Sequence, residues 1–195
     1  MIHTRVFSRK PIQMMLLYAG RRWSVSLCFV ALNFAAIGSM VRGDEANTVV
    51  IQSMHDLARC QPTQLEALFA HGSISGIPTG RFNGLPLVNP GTSSGETASR
   101  GGRLVWSGKV ISADGSRARN FFFGLPSVPA KVSIQPSLRD GRPALVLDYT
   151  ETSLVYRNVR DEIREISPGV YLGYVDDTRT AEPASRRWFA FEAPR

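Results

Sequence analysis

The chain has 195 residues, 43% of them hydrophobic and 20% charged, which is enough for one domain with a real core but too little for two comfortably. A net charge of +7 would suit a polyanionic partner, yet six of the 23 basic residues and none of the 16 acidic ones fall in residues 1–42. The remainder carries 17 basic against 16 acidic groups, and that balance argues against a nucleic-acid partner.

Between Arg22 and Arg42 lie 19 uncharged residues, 23–41, close to the ~20 that a spanning helix needs. The basic lead-in and the small residues Ala35, Ala36, Gly38 and Ser39 predict a secretory signal, cut after Gly38 or Gly43, and a start at Met14 or Met15 would give it a more ordinary length. The alternatives are an uncleaved anchor, holding the protein to the inner membrane through residues 23–41, and a buried core helix. Arg21-Arg22 is a poor twin-arginine signal because the following residues do not fit. Cys28 follows Leu27, where a lipidation site wants a small residue. The expected location is periplasmic or secreted. The expected organisation is a signal or anchor over 1–43, a short helical segment and linker over 44–79, and a β-barrel over 80–195.

Residues 53–71 read as helical, in one or two pieces. Ser53 with Asp56 and Thr63 with Glu66 have the spacing of capping boxes, and Leu65, Leu68 and Phe69 form one apolar stripe before Gly72. So short a helix needs a sheet to lean on. Cys60 is the only cysteine after the leader, so no internal disulfide can form there, and it is expected as a half-buried thiol.

From residue 80 the pattern changes to period two, with turn signals every ten or so residues. Strands are predicted near 80–88, 103–112, 117–124, 129–138, 143–150, 160–166, 169–176 and 186–193. Asp114-Gly115, Asp140-Gly141 and Pro168-Gly169 separate successive runs, and the Asp-Gly pairs are strong type I′ hairpin signals. Leu104, Trp106 and Val110 would share a face of the second strand, and Leu145, Leu147 and Tyr149 a face of the fifth. Phe121 and Phe123 would oppose Phe122. Val159, Ile163 and Ile166 also fit a helical period, while residues 89–102 read as an exposed loop. The predicted fold is mainly β: an antiparallel, up-and-down, eight-stranded barrel or half-barrel with a short N-terminal helix. Eight strands is the size at which an interior either just fills or holds one small ligand.

Gly80-Arg81-Phe82-Asn83-Gly84 has the form G-x-aromatic-x-G and follows the helix that ends at Gly72. It resembles the first motif of lipocalin-like (calycin-type) barrels, and more closely the small bacterial GXWXG-type proteins, with Phe82 where tryptophan is usual. The run from Arg160 to Gly173 resembles the charged strand, turn and closing strand of that group. The resemblance implies a calycin-like fold and an interior pocket for an apolar or amphipathic molecule, and implies no particular substrate.

Other motifs carry less. Gly91-Thr92-Ser93-Ser94-Gly95 matches G-x-S-x-G but lacks the strand that a nucleophile elbow needs directly before it. His55 and His71 have no metal-ligand spacing, so no metal or cofactor is expected. Arg157, Arg160, Asp161, Glu162, Arg164 and Glu165 read first as a solvated, mutually paired strand face.

The functional expectation is non-covalent binding of a small hydrophobic or amphipathic ligand inside the barrel. Phe82, Trp106, Phe121, Phe123, Tyr149 and Tyr171 are the candidate apolar contacts. Arg160 and Arg164 are the candidates to hold a carboxylate head. Two alternatives stand beside it: an enzyme using Asp161 or Glu162 for proton transfer in the same cavity, and an envelope structural or interaction protein with a filled barrel. The membrane is expected to be met only through the N-terminal segment.

Overall fold

Eight antiparallel strands run up and down in chain order, and the last pairs with the first. They are β1 (Gly80–Pro86), β2 (Trp106–Ile111), β3 (Arg117–Phe122), β4 (Leu125–Pro136), β5 (Pro143–Asp148), β6 (Val159–Ser167), β7 (Val170–Asp177) and β8 (Arg187–Glu192). The structure, a computed structural model, describes residues 50–179 and 187–194. The expected signal or anchor over residues 1–43 lies outside the described residues.

Closure comes from the pairing of Asn83, Gly84, Leu85 and Pro86 with Glu192, Phe191, Ala190 and Phe189. A closed barrel has no free edge strand, since each strand is paired on both sides. Each of the eight predicted strands is present, including the ambiguous sixth. Its register against β7, from Val159↔Asp177 to Ser167↔Val170, overrides the helical spacing of its apolar residues.

The turns differ from the expectation. Gly115 and Gly141 are both at φ +70°, but neither Asp114 nor Asp140 is at positive φ. These are four-residue loops closed by the Ser112 amide on the Arg117 carbonyl and the Ser137 amide on the Arg142 carbonyl. In each, the aspartate accepts from the amide two residues on, that of Ser116 or Arg142. The two-centre positive-φ pattern of a type I′ turn occurs instead at Phe123 (+51°) and Gly124 (+79°), between the paired residues Phe122 and Leu125.

Two cores result from the alternation. One fills part of the barrel with Phe82, Ile111, Ala118, Ala130, Val132, Leu145, Leu147, Ile163, Tyr171 and Phe191. The other lies outside the sheet, where Leu85, Leu87, Leu172, Tyr174 and Trp188 are covered by a single 3-10 turn (Asp56–Arg59) and helix α1 (Pro62–His71) through Met54, Leu57, Leu65 and Phe69. The N-cap of α1 is Gln61, reciprocally bonded with Gln64, with Pro62 in the first turn; the expected Thr63–Glu66 box is not used, and Glu66 pairs with Arg139. The Ser53–Asp56 pairing does form, with the Asp56 carboxylate on the Ser53 amide at 2.9 Å. Gly72 ends the helix in extended geometry, with the next residue, Ser73, bridged to Glu165 of β6. Cys60 is buried rather than half-buried, and burial raises its pKa.

Residues 89–102 are not wholly loop: α2 (Gly95–Gly102) follows Gly91–Ser94. Its composition is poor in helix formers, so tertiary bonds hold it. Glu96 pairs with Arg59 and Arg100, and the buried Ser99 hydroxyl accepts from the Val88 amide at 2.9 Å. Ser93 is exposed, six residues separate it from the end of β1, and no histidine bonds to it among the described residues. Among those residues no helix is long and apolar enough to cross a membrane.

Candidate functional site

The interior is filled at one end of the barrel and hollow at the other. At the filled end Tyr171 and Phe191 stack and Phe82 meets both edge to face, with ring centroids 4.8–5.9 Å apart. Phe82, the centre of the G-x-F-x-G motif, is therefore a plug. At the other end lies a cavity of about 220 Å³. For scale, an apolar cavity of about 150 Å³ can hold benzene.

Irregular pairing shapes the cavity wall. A β-bulge between Trp106 and Gly108 resets the alternation of β2, so Trp106, Lys109 and Ile111 all face inward. Val110 is turned out, and Leu104 precedes the strand and is exposed, which corrects the expected Leu104–Trp106–Val110 face. A second bulge lies opposite Arg119 and Asn120 and puts Val128 at φ +48°, an outlying conformation for a β-branched residue. Val128 lines the cavity with Trp106, Phe122 and Phe189. Tyr156, from the loop after β5, and the exposed Arg187, the first residue of β8, stand at its outer edge.

Five side chains are linked by hydrogen bonds at its inner end. Trp106 Nε1 donates to Asn120 Oδ1 (3.0 Å), and Asn120 Nδ2 donates to Tyr149 Oη (2.9 Å). Tyr149 in turn donates to Asp161 Oδ2 (2.9 Å). Lys109 Nζ donates to the same oxygen at 3.2 Å, and its ammonium lies 4.3 Å from the centre of the Phe189 ring and 5.5 Å from that of Phe191. Lys109 is 1% exposed. Burial lowers its pKa, and the Asp161 carboxylate partly offsets this. Tyr149 is pushed well above the usual phenol range by burial and by Asp161. The cluster holds a cation, a carboxylate and a phenol in contact, in surroundings dry enough for each to affect the others strongly.

The eight residues proposed from sequence separate into groups. Trp106 and Tyr149 line the cavity, while Phe82 and Tyr171 fill the opposite end. Phe121 faces outward beneath the Arg81 guanidinium, 4.3 Å from its ring centre, and Phe123 is 73% exposed at its turn. Arg160 and Arg164 are on the outer surface of β6. Arg160 bonds Glu162, Gln135 and the Pro136 carbonyl. Arg164 is fully buried under α1, with Asp140 on its guanidinium at 2.6 and 2.7 Å and the Phe69 carbonyl at 3.1 Å. It thus adds a second donor to a last-turn carbonyl of α1 that otherwise accepts only from the Gly72 amide, at 3.2 Å.

The charged stretch of β6 is consequently no solvated face. Glu162 is fully buried outside the barrel and accepts from the Leu138 amide, Arg160 and Tyr174. Burial would raise its pKa, but those donors outweigh it and hold it below the usual range. Only Asp161, between these outward residues, reaches the cavity.

Sequence reading missed Lys109, Asn120, Phe122 and Val128 as members of this region. The signal available for Lys109 was Gly108, since a glycine inside a strand often marks a bulge. No group of three or more potential metal ligands occurs among the described residues.

No protein-family model matches the chain, and no curated protein matches it. A solved crystal structure, of a protein from Thermomonospora curvata, is similar over 70% of this chain and 90% of that one, at 16% identity and a TM-score of 0.44.

Proposed function

We propose that this chain is an exported or membrane-tethered binding protein of the lipocalin-like, GXWXG type, and that it holds a small apolar or amphipathic molecule in the hollow end of its barrel. The cavity of about 220 Å³, walled mainly by aromatic and aliphatic side chains and ending on one polar cluster, carries this reading. The antiparallel closed barrel, with β1 opening on Gly80–Gly84 after a short helix, is consistent with a lipocalin-like fold. Export rests on the leader alone.

Native mass spectrometry after mild extraction, with displacement of a solvatochromic naphthalene dye from the full chain, tests the binding. Val175→Trp, which would fill the cavity from β7, should abolish displacement while the fold persists. A dye that binds the filled variant as well as the wild type would place the binding elsewhere. Fractionation with N-terminal sequencing tests export and shows whether the leader is cut.

A second reading is favoured by one observation, the contact of Asp161 with both Lys109 and Tyr149 at the cavity. It is an enzyme in which Asp161 moves a proton on the bound molecule. Turnover that survives Asp161→Asn would remove it. Glu162 is on the other face of the sheet and has no place in that scheme.

A further inference from the structure

We infer that the cavity selects molecules whose inner end donates a hydrogen bond, such as a hydroxyl or an amine, and disfavours an ether, ester or carboxylate there. The inference rests on the cavity being the binding site and adds the class of head group.

The reason is the count of donors and acceptors at the inner end. The Trp106 N–H is spent on Asn120, the Tyr149 hydroxyl on Asp161, and the Asn120 amide on Tyr149 and, at 3.4 Å, the Val128 carbonyl. Lys109 does not line the cavity: its ammonium lies behind Asp161, against the Phe189 and Phe191 rings. Among the described side chains that line the cavity at this depth, no donor is left for a ligand.

The acceptor side is different. Both bonds to Asp161 go to Oδ2, and no donor among the described residues reaches Oδ1. The Asp161 side chain is 6% exposed and lines the cavity. Burying a carboxylate oxygen without a partner is unfavourable, so a ligand that brings a proton to it replaces water where one with only acceptors cannot. Trp188 also lines the cavity, but its ring packs outside the sheet against Phe69 and Tyr174. The other lining side chains that can donate are Tyr156 and Arg187, at the outer edge. An anionic group could be met there but not at the inner end.

The test compares 2-naphthol with 2-methoxynaphthalene, two bicyclic probes matched in ring and oxygen and differing in the O–H, titrated into the full chain by calorimetry. The wild type should bind the naphthol about ten-fold more tightly or better, the usual scale of a hydrogen bond to a charged acceptor. In Asp161→Asn the amide oxygen can keep Lys109 and Tyr149, leaving its NH₂ toward the cavity. The ratio should then fall to about one or below. An infrared difference spectrum of the wild type gives a reading that needs no variant: naphthol, and not the ether, should shift a carboxylate stretch. Equal affinities in the wild type, an unshifted carboxylate, or a ratio unchanged in a folded Asp161→Asn would each overturn the inference while leaving the cavity reading intact. If neither probe binds, the cavity reading falls and this one with it.

Discussion

The Lys109 ammonium and the Asp161 carboxylate meet at 3.2 Å inside the barrel, their side chains 1% and 6% exposed. Two charges so deeply buried are tolerated because each is answered: the carboxylate also accepts from Tyr149, and the ammonium faces aromatic rings. Removing one partner strands the other. Lys109→Met should therefore lower unfolding stability by about 3–5 kcal/mol. The double variant Lys109→Met/Asp161→Asn should recover at least about 1.5 kcal/mol of that loss, read from urea denaturation at constant m-value. Strictly additive single effects would show that the pair is not energetically coupled.

Asp140 gives a pH signature. Its hydrogen bonds from Arg164, only partly opposed by burial, hold its pKa at about 2 against an ordinary 3.8. As pH falls through that interval the unfolded chain takes up a proton that the folded chain refuses. The stabilisation is complete above about pH 4 and is lost as pH approaches 2. Asp114 and Asp177, also held at about 2, titrate in the same window, so the comparison must be made against a single variant. Asp140→Asn should be less stable than wild type at pH 6, and the gap should close toward pH 2. A gap independent of pH would refute the assignment.

Phe123 sits at φ +51° with its ring exposed, a conformation that asparagine and glycine accept and bulky residues resist. Phe123→Asn should raise stability by about 1 kcal/mol, seen as a melting temperature higher by a few degrees. The cavity should be unaffected. An unchanged or lower melting temperature would mean that the exposed ring contributes packing beyond the contacts described above.

Gly108 and Gly101 make an internally controlled pair. A Cβ at Gly108, whose φ is +136°, would lie 2.1 Å from the Phe82 carbonyl oxygen, at the bulge that turns Lys109 inward. Gly108→Ala should cost more than about 2 kcal/mol. A Cβ at Gly101 in α2 meets nothing within 4 Å, and Gly101→Ala should stabilise by about 0.5–1 kcal/mol. Equal effects in chemical denaturation would remove the role given to the bulge.

Much of the fold was legible because it is written locally. Period-two runs between Asp-Gly and Pro-Gly reversals place eight extended segments side by side, and short reversals make neighbours antiparallel. The inward face of β5, Leu145–Leu147–Tyr149, followed directly from alternation. Tyr149 continues that face into the cavity, whereas Trp106 lines it although the Leu104–Trp106–Val110 face expected of β2 is not formed.

What alternation could not supply was the phase of each strand after a bulge, because an extra residue is stable only against its partner strand. The shift at Trp106–Gly108 turns Lys109 inward, and the one opposite Asn120 brings Val128 to the cavity. Lys109 and Asp161 are 52 residues apart, and neither can be buried charged without the other. Arg164 likewise became structural only when α1 presented the Phe69 carbonyl, 95 residues away, to its guanidinium. The amino-acid order alone set the run of strands and their reversals, since these depend on the conformational preferences of adjacent residues. Which charges the barrel encloses was left to the closed sheet, because the free energy of a buried charge depends on partners that only closure brings near.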